Sequence, residues 1–155
     1  MSLLGSSAPE IELFNDRRRP FKLSDHKGSP IVLLFFPAAF TGVCTTELNT
    51  VNNDLGSYTG ALIVGISTDS PFSSAEFKKV NGLQFDLLSD HNAEACNAYG
   101  CKYDTGFAGT DLTRFSKRSA FVIDASGIVV YEEVLESAGD LPNLDAIKAK
   151  LAEIS

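Results

Sequence analysis

The 155-residue chain carries three cysteines, and one of them, Cys44, closes the stretch VLLFFPAAFTGVC. An apolar run ends at Pro37, bends through small residues and reaches Cys44 where helical spacing begins. Buried in a core, a thiol is a small hydrophobe, and free cysteine is among the most buried residue types. Held as a thiolate, it is a nucleophile. Cys44 lies on an apolar stripe, which fits packing. It also falls in the first turn of a helix, just past the carboxyl end of a buried strand, where open α/β sheets place their sites. First-turn amides have no intrahelical partner, and the helix dipole favours an anion beside them. Thr41, three residues earlier, can cap that helix end or hydrogen-bond the sulfur or its substrate. Pro37 fixes the backbone where strand gives way to loop and brings no donor of its own.

The spacing excludes one chemistry. Thr41-Gly-Val-Cys44 has the length of a C-x-x-C redox motif, but threonine stands where the first cysteine would be. Disulfide exchange at this point needs two thiols, and the motif offers one. A single activated thiol suits a substrate that oxidises it directly, such as a peroxide, leaving a sulfenic acid. Cys96 and Cys101 are either buried packing or partners for an oxidised Cys44. His91-x4-Cys96-x4-Cys101 has too few ligands and the wrong spacing for a zinc site. His26, in SDHKG, reads as a surface residue.

The elements that must position Cys44 follow from periodicity. PIVLLFF (30–36) and ALIVGIS (61–67) are apolar on both faces and read as central buried strands. Apolar positions 44, 48, 51 and 55 form a helical stripe that stops at Gly56. Ser70-Pro71 starts a second helix that ends at Gly82. Phe85 to Leu88 reads as a short strand, Asp90 to Tyr99 as a helix stopped by Gly100, and 102 to 117 as a loop. The segments around Ile11–Phe14 and Phe21–Leu23 form a hairpin, SAFVID-ASG-IVVYEEV another, and Asn143 caps a final helix with stripe Leu144, Ile147, Leu151 and Ile154. Strands alternating with helices predict an α/β fold of the thioredoxin-like kind: a central, mostly parallel sheet with an antiparallel hairpin and helices on both faces. No repeat, linker or low-complexity segment interrupts it, so residues 1–155 read as one domain.

Composition narrows the function classes. Hydrophobic residues make up 44% and charged residues 21%, ordinary for a globular protein, and the net charge is −7. Acidic balance argues against nucleic acid or an acidic membrane surface, which need basic faces. The one basic run, Arg17-Arg18-Arg19, reads as a solvated hairpin tip. No apolar stretch approaches the ~18 residues of a membrane helix, and the N-terminus has no basic start or long apolar segment. An odd number of widely spaced cysteines is no disulfide framework, which points to a reducing cytoplasm.

Pro37-Ala-Ala-Phe-Thr41-Gly-Val-Cys44, a P-x-x-x-T-x-x-C pattern at the end of a VLLFF strand, resembles the peroxiredoxin active-site motif. NDRRRPFKLSDHKGSPIVLLFFPAAF, LIVGISTDSPFSSAEF, FDLLSD…AYG and RSAFVIDASGIVVY each resemble peroxiredoxin segments in the same order, so the likeness covers nearly the whole chain. The subgroup it most resembles is the AhpE-like one-cysteine peroxiredoxins. The resemblance implies that Cys44 is the peroxidatic cysteine, that Thr41 hydrogen-bonds peroxide and thiolate, and that Pro37 shields the sulfur. It implies that Arg118, in KRSAFVID, stabilises the thiolate and the charge developing on the peroxide; read from the residues alone, Arg118 is a charged residue entering a strand, with Arg114 and Lys117 nearby. Glu47, one turn after Cys44, matches a glutamate of the family and is expected behind the reacting groups. No metal and no cofactor is implied.

The chain departs from many peroxiredoxins in its other cysteines. A resolving cysteine five residues after the first would stand at Asn49, and residues 71 to 95 contain none. The expected activity is therefore reduction of hydrogen peroxide and organic hydroperoxides by one cysteine, with an external thiol or a thioredoxin- or glutaredoxin-like reductant. An atypical two-cysteine peroxidase using Cys96 or Cys101 is the alternative. A non-catalytic thioredoxin-fold binding module, with Cys44 as inert packing, is the rival from another class. The resemblance also implies a homodimer or larger homo-oligomer built through the active-site loops, near which lie Phe36 and Phe40.

Overall fold

The computed structural model describes residues 2–58 and 60–155. In chain order its elements are β1 (Glu12–Asn15), β2 (Pro20–Lys22), β3 (Ile31–Phe35), α1 (Gly42–Asn52), β4 (Leu62–Ser67), α2 (Pro71–Asn81), β5 (Asp86–Ser89), α3 (Glu94–Ala98), β6 (Ser119–Ile123), β7 (Val129–Val134) and α4 (Leu144–Ile154). The strands form one sheet in the order β2-β1-β5-β4-β3-β6-β7. This is the thioredoxin-like α/β arrangement read from the sequence, with a mixed sheet. The doubly apolar strands β3 and β4 lie at its centre, and β3, β4 and β5 run parallel. Antiparallel strands extend this centre on both sides: β6 and β7 beyond β3, and the β1–β2 hairpin beyond β5. The hairpin is fastened by its tip, where Asp16 Oδ1 accepts the Leu87 N–H at 3.0 Å and Arg17 pairs with Asp86 at 3.1 Å.

Alternation along the strands builds two cores. Leu33, Phe35, Val64, Ile66, Phe121 and Ile123 face one side, covered by Ala95 and Cys96 of α3 with Tyr99 and Cys101. Val32, Leu34, Ile63, Ala120 and Val122 face the other, covered by Leu48 and Val51 of α1, Phe77 of α2, and Ile147 and Leu151 of α4. Gly65 lets Phe36 lie close over β4: a Cβ there would come within 2.8 Å of a Leu87 methyl and 3.2 Å of the Phe36 ring.

Helix boundaries follow local chemistry. Ser70 caps α2 by accepting the Ser73 N–H, and Gly82, with φ 63°, ends it. Asn143 caps α4 through the Ala146 N–H. Two expectations shift. The helix expected from Cys44 begins at Gly42, so Cys44 stands at its third position, and it ends at Asn52, leaving Leu55 in a separate 3-10 turn. The helix expected over Asp90 to Tyr99 is confined to Glu94–Ala98. Buried Asp90 stays outside it and accepts the N–H groups of Ala95 and Cys96 at 2.9 and 2.8 Å, with Ala93 in a left-handed turn at φ 59°. Residues 102–117 form a loop pinched by a Lys102–Ser116 bridge and filled by Phe107 packed between Tyr103 and Phe115. His26 stacks on Phe21 with ring centroids 4.7 Å apart. No helix among the described residues is long and apolar enough to cross a membrane.

Candidate active site

Three elements bring the site together. β3 ends at Phe35, opposite Ser119 of β6. That register sets Arg118, the residue before β6, beside the point where the chain leaves the sheet through Phe36 and Pro37. α1 then returns over the same face and presents Cys44 and, one turn later, Glu47 toward Arg118. The Arg118 backbone is held by the Leu135 N–H donating to its carbonyl at 3.0 Å.

The guanidinium serves three partners. Arg118 Nη2 donates to Cys44 Sγ at 3.3 Å and to the Ala138 carbonyl at 3.0 Å, while Nη1 donates to Glu47 Oε1 at 2.7 Å. Cys44 is 1% exposed, Arg118 1% and Glu47 0%. Burial drives the Glu47 carboxyl up to about 7, against the opposing charge and hydrogen bond of Arg118. Burial works against the Arg118 charge, but Glu47 and Cys44 more than offset it and hold the guanidinium protonated. The cluster is a fixed cation with a buried carboxyl behind it and a sulfur in front, in a site of low dielectric where each interaction strengthens.

Of the residues singled out from sequence, Cys44, Arg118 and Glu47 converge directly. Thr41 occupies the N-cap position of α1, but its side chain makes no cap there; its hydroxyl donates to the Ala38 carbonyl at 2.8 Å. Pro37 is buried at the root of the loop. Phe36 is a core residue at 0% exposure, whereas Phe40, 57% exposed, sets an edge against Phe77 at 5.1 Å. Sequence reasoning missed the Ala138 carbonyl, which no side-chain pattern signals, and Asp69, which accepts the Ala39 N–H at 2.8 Å. Asp69 stands in STDS just past a strand, a pattern that reads only as turn chemistry.

Cys96 and Cys101 lie elsewhere. Both are buried in the core on the opposite face of the sheet from Cys44. Burial, with Asp90 nearby, pushes the Cys96 thiol far up, and burial pushes Cys101 up to about 11. Cys96 donates to the Ala93 carbonyl, and Cys101 meets the Ser116 hydroxyl at 3.6 Å. All three cysteines are free. His91 is exposed while Cys96 and Cys101 are buried. Asn49 joins α1 to α2 through Asn81.

Known proteins resemble this chain both in architecture and in sequence. The crystal structure of Peroxidoxin BcpB from Mycobacterium tuberculosis superposes with a TM-score of 0.85 at 30% identity, over 100% of this chain and 99% of that one. Peroxiredoxin Bcp of Bacillus subtilis is 36% identical over 134 residues, 83% of each chain. Thiol peroxidase of Oceanobacillus iheyensis is 30% identical over 149 residues, 96% of this chain and 87% of that one. The fold and these likenesses define an oxidoreductase acting on peroxides, a thiol peroxidase with a thioredoxin-like fold. Residues 4–132 match the AhpC/TSA family, and the chain belongs to that family, the peroxiredoxins. The relatives named here carry the names Bcp and thiol peroxidase, which do not by themselves show the AhpE-like subgroup. Membership removes the reading of an inert binding module.

Proposed function

We propose that this peroxiredoxin reduces hydrogen peroxide and organic hydroperoxides by one-cysteine chemistry, with Cys44 cycling between thiolate and sulfenic acid and an external thiol restoring it. One observation carries the reading: the other two cysteines are buried in the core on the far side of the sheet from Cys44. A disulfide needs Cα atoms within ~7 Å, and reaching either thiol would require the sheet or α1 to come apart. This supports the AhpE-like, one-cysteine assignment over an atypical two-cysteine peroxidase, and Asn49 and the cysteine-free segment 71–95 support it further.

In this mechanism the Cys44 thiolate attacks the terminal peroxide oxygen in line with the O–O bond. That bond breaks, the oxygen stays on sulfur with its hydrogen as a sulfenic acid, and the departing alkoxide or hydroxide takes up a proton to leave as alcohol or water. Arg118 Nη2, 3.3 Å from the sulfur, favours the thiolate and faces the charge that develops on the peroxide oxygens. Thr41 directs its hydroxyl oxygen at the incoming peroxide, and Pro37 keeps water from the sulfur. Glu47 holds the guanidinium in plane through its 2.7 Å contact. The sulfenic acid then condenses with a thiol of a small molecule or a thioredoxin- or glutaredoxin-like protein, losing water, and a second thiol releases Cys44. Three free cysteines suit a reducing cytoplasm. Exposed Phe40 beside the site suits burial against a second copy of the chain.

The test is a count of thiols after one equivalent of hydrogen peroxide, with Cys44→Ser alongside. The reading expects a sulfenic acid at Cys44 with Cys96 and Cys101 still free, and no rapid peroxide consumption by Cys44→Ser. A disulfide between Cys44 and Cys96 or Cys101 would sink the one-cysteine form of it.

A further inference from the structure

The loop that carries Pro37 and Thr41 is held from outside the motif. Asp69 lies two residues past β4, the strand next to β3. Its Oδ2 accepts two hydrogen bonds, from the Ala39 N–H at 2.8 Å and from the Ser67 hydroxyl at 2.7 Å. Ser67 is itself 1% exposed and its carbonyl accepts the Asp90 N–H at 2.7 Å. The Asp69 carbonyl accepts the Ser89 hydroxyl at 2.6 Å. Asp69 is thus fixed to the end of β4 by its carboxylate and to the end of β5 by its carbonyl, and the carboxylate's other bond goes to the middle of the Pro37–Thr41 loop. The next residue, Phe40, has φ 66°, a left-handed backbone that a bulky side chain adopts only where its surroundings impose it. Those surroundings are the Asp69–Ala39 bond on one side and the Phe40–Phe77 edge contact on the other.

We propose that Asp69 is a positioning residue for the peroxide step: its carboxylate fixes the Pro37–Thr41 loop against β4, so that Thr41 and the first turn of α1 stand where the oxygen transferred to Cys44 must lie. The proposal rests on the reading of Cys44 as the reacting thiol. Asp69 touches no substrate and acts through the backbone of Ala39. The two halves of the cycle then answer to it differently. Oxidation needs the loop in one place, because misplacing reacting groups by about 1 Å costs on the order of a hundredfold in rate. Reduction needs a thiol to reach a residue that is 1% exposed, which a looser loop does not hinder.

The two halves can be measured apart with Asp69→Ala, Asp69→Asn and Ser67→Ala. Oxidation is followed by stopped flow with hydrogen peroxide and dimedone trapping, and reduction of the preformed sulfenic acid with dithiothreitol. Asp69→Ala is expected to oxidise roughly 10- to 100-fold more slowly, with its dithiothreitol step unchanged or faster. Asp69→Asn, whose amide oxygen still accepts the Ala39 N–H, is expected to keep most of the rate. Should Asp69→Ala not fold, Ser67→Ala replaces it; losing one contact on the same oxygen, it should slow oxidation several-fold and leave reduction alone. A folded Asp69→Ala, or Ser67→Ala in its place, that oxidises at the wild-type rate, or that loses both half-reactions by the same factor, overturns the role. Cys44→Ser separates the two ways of failing. If it consumes peroxide as the wild type does, the Cys44 reading falls and this role with it; if it does not and Asp69→Ala is undiminished, only the role of Asp69 falls.

Discussion

Arg118 and Cys44, 74 positions apart in the chain, meet at 3.3 Å between Nη2 and Sγ, and the same guanidinium grips Glu47 at 2.7 Å. The cation is shared between a thiol and a buried acid, so neither contact can be altered without moving the other.

Replacing Arg118 should therefore act on rate and stability together. Arg118→Ala is expected to lower the second-order rate of peroxide reduction about 100-fold or more, as loss of a preorganised donor at developing charge does. Arg118→Lys should recover little, since a point ammonium cannot hold sulfur, carboxylate and the Ala138 carbonyl through one planar fork. Stopped-flow oxidation of the three proteins checks both statements; a lysine variant at the wild-type rate would refute the second.

Glu47 predicts a pH signature in stability. Its carboxyl rises from 4.5 to about 7 in the folded protein, chiefly by burial, so between those values the folded state holds a proton that the unfolded chain releases. Stability from this group is therefore full below pH 4.5 and falls as pH rises through 7, by up to about 3 kcal/mol. Glu47→Gln should flatten that part of the profile in urea unfolding measured across the window. An unchanged slope in the variant would assign the pH dependence elsewhere.

The far-side cysteines should be dispensable for catalysis. Cys96→Ala and Cys101→Ala are expected to turn over peroxide with dithiothreitol at the wild-type rate while losing about 1–2 kcal/mol of stability through lost packing. In the native wild type only Cys44 should react quickly with an aromatic disulfide reagent, since burial pushes both other thiols up, Cys101 to about 11. Rapid titration of more than one thiol would contradict this.

Gly65→Ala tests the packing behind the loop. The added methyl would meet Leu87 at 2.8 Å and Phe36 at 3.2 Å, and overpacking of this kind costs about 1–3 kcal/mol. The chemical denaturation midpoint should fall, and because Phe36 adjoins Pro37, the oxidation rate should fall with it.

Much of this was legible in sequence because it is local. Uninterrupted apolar runs marked β3 and β4, since strands buried on both faces cannot alternate. Ser70, Gly82 and Asn143 marked helix ends, since caps and left-handed stops are chosen residue by residue. Pro37, Thr41 and Cys44 share eight positions, and their spacing alone set a lone thiol at a helix start. Other features depended on the folded backbone or on partners far along the chain. Asp90 reads as a helix residue until the fold buries its carboxylate under the amides of Ala95 and Cys96. The β1–β2 hairpin joined the sheet where Phe14 and Asn15 pair with Ser89 and Leu88, and there Asp16 and Arg17 found Leu87 and Asp86.

Arg118 shows the division most plainly. The chain by itself determined that an arginine precedes a buried strand and that a thiol begins a helix. Only the pairing of β6 with β3 decided that the two meet, because strand register, not sequence distance, sets which side chains share the end of a sheet. The packing of α1 on one face of the sheet and α3 on the other put Cys44 on one side and Cys96 and Cys101 on the other. Three thiols that look alike in the sequence were thereby divided into one facing a guanidinium and two sealed in a core.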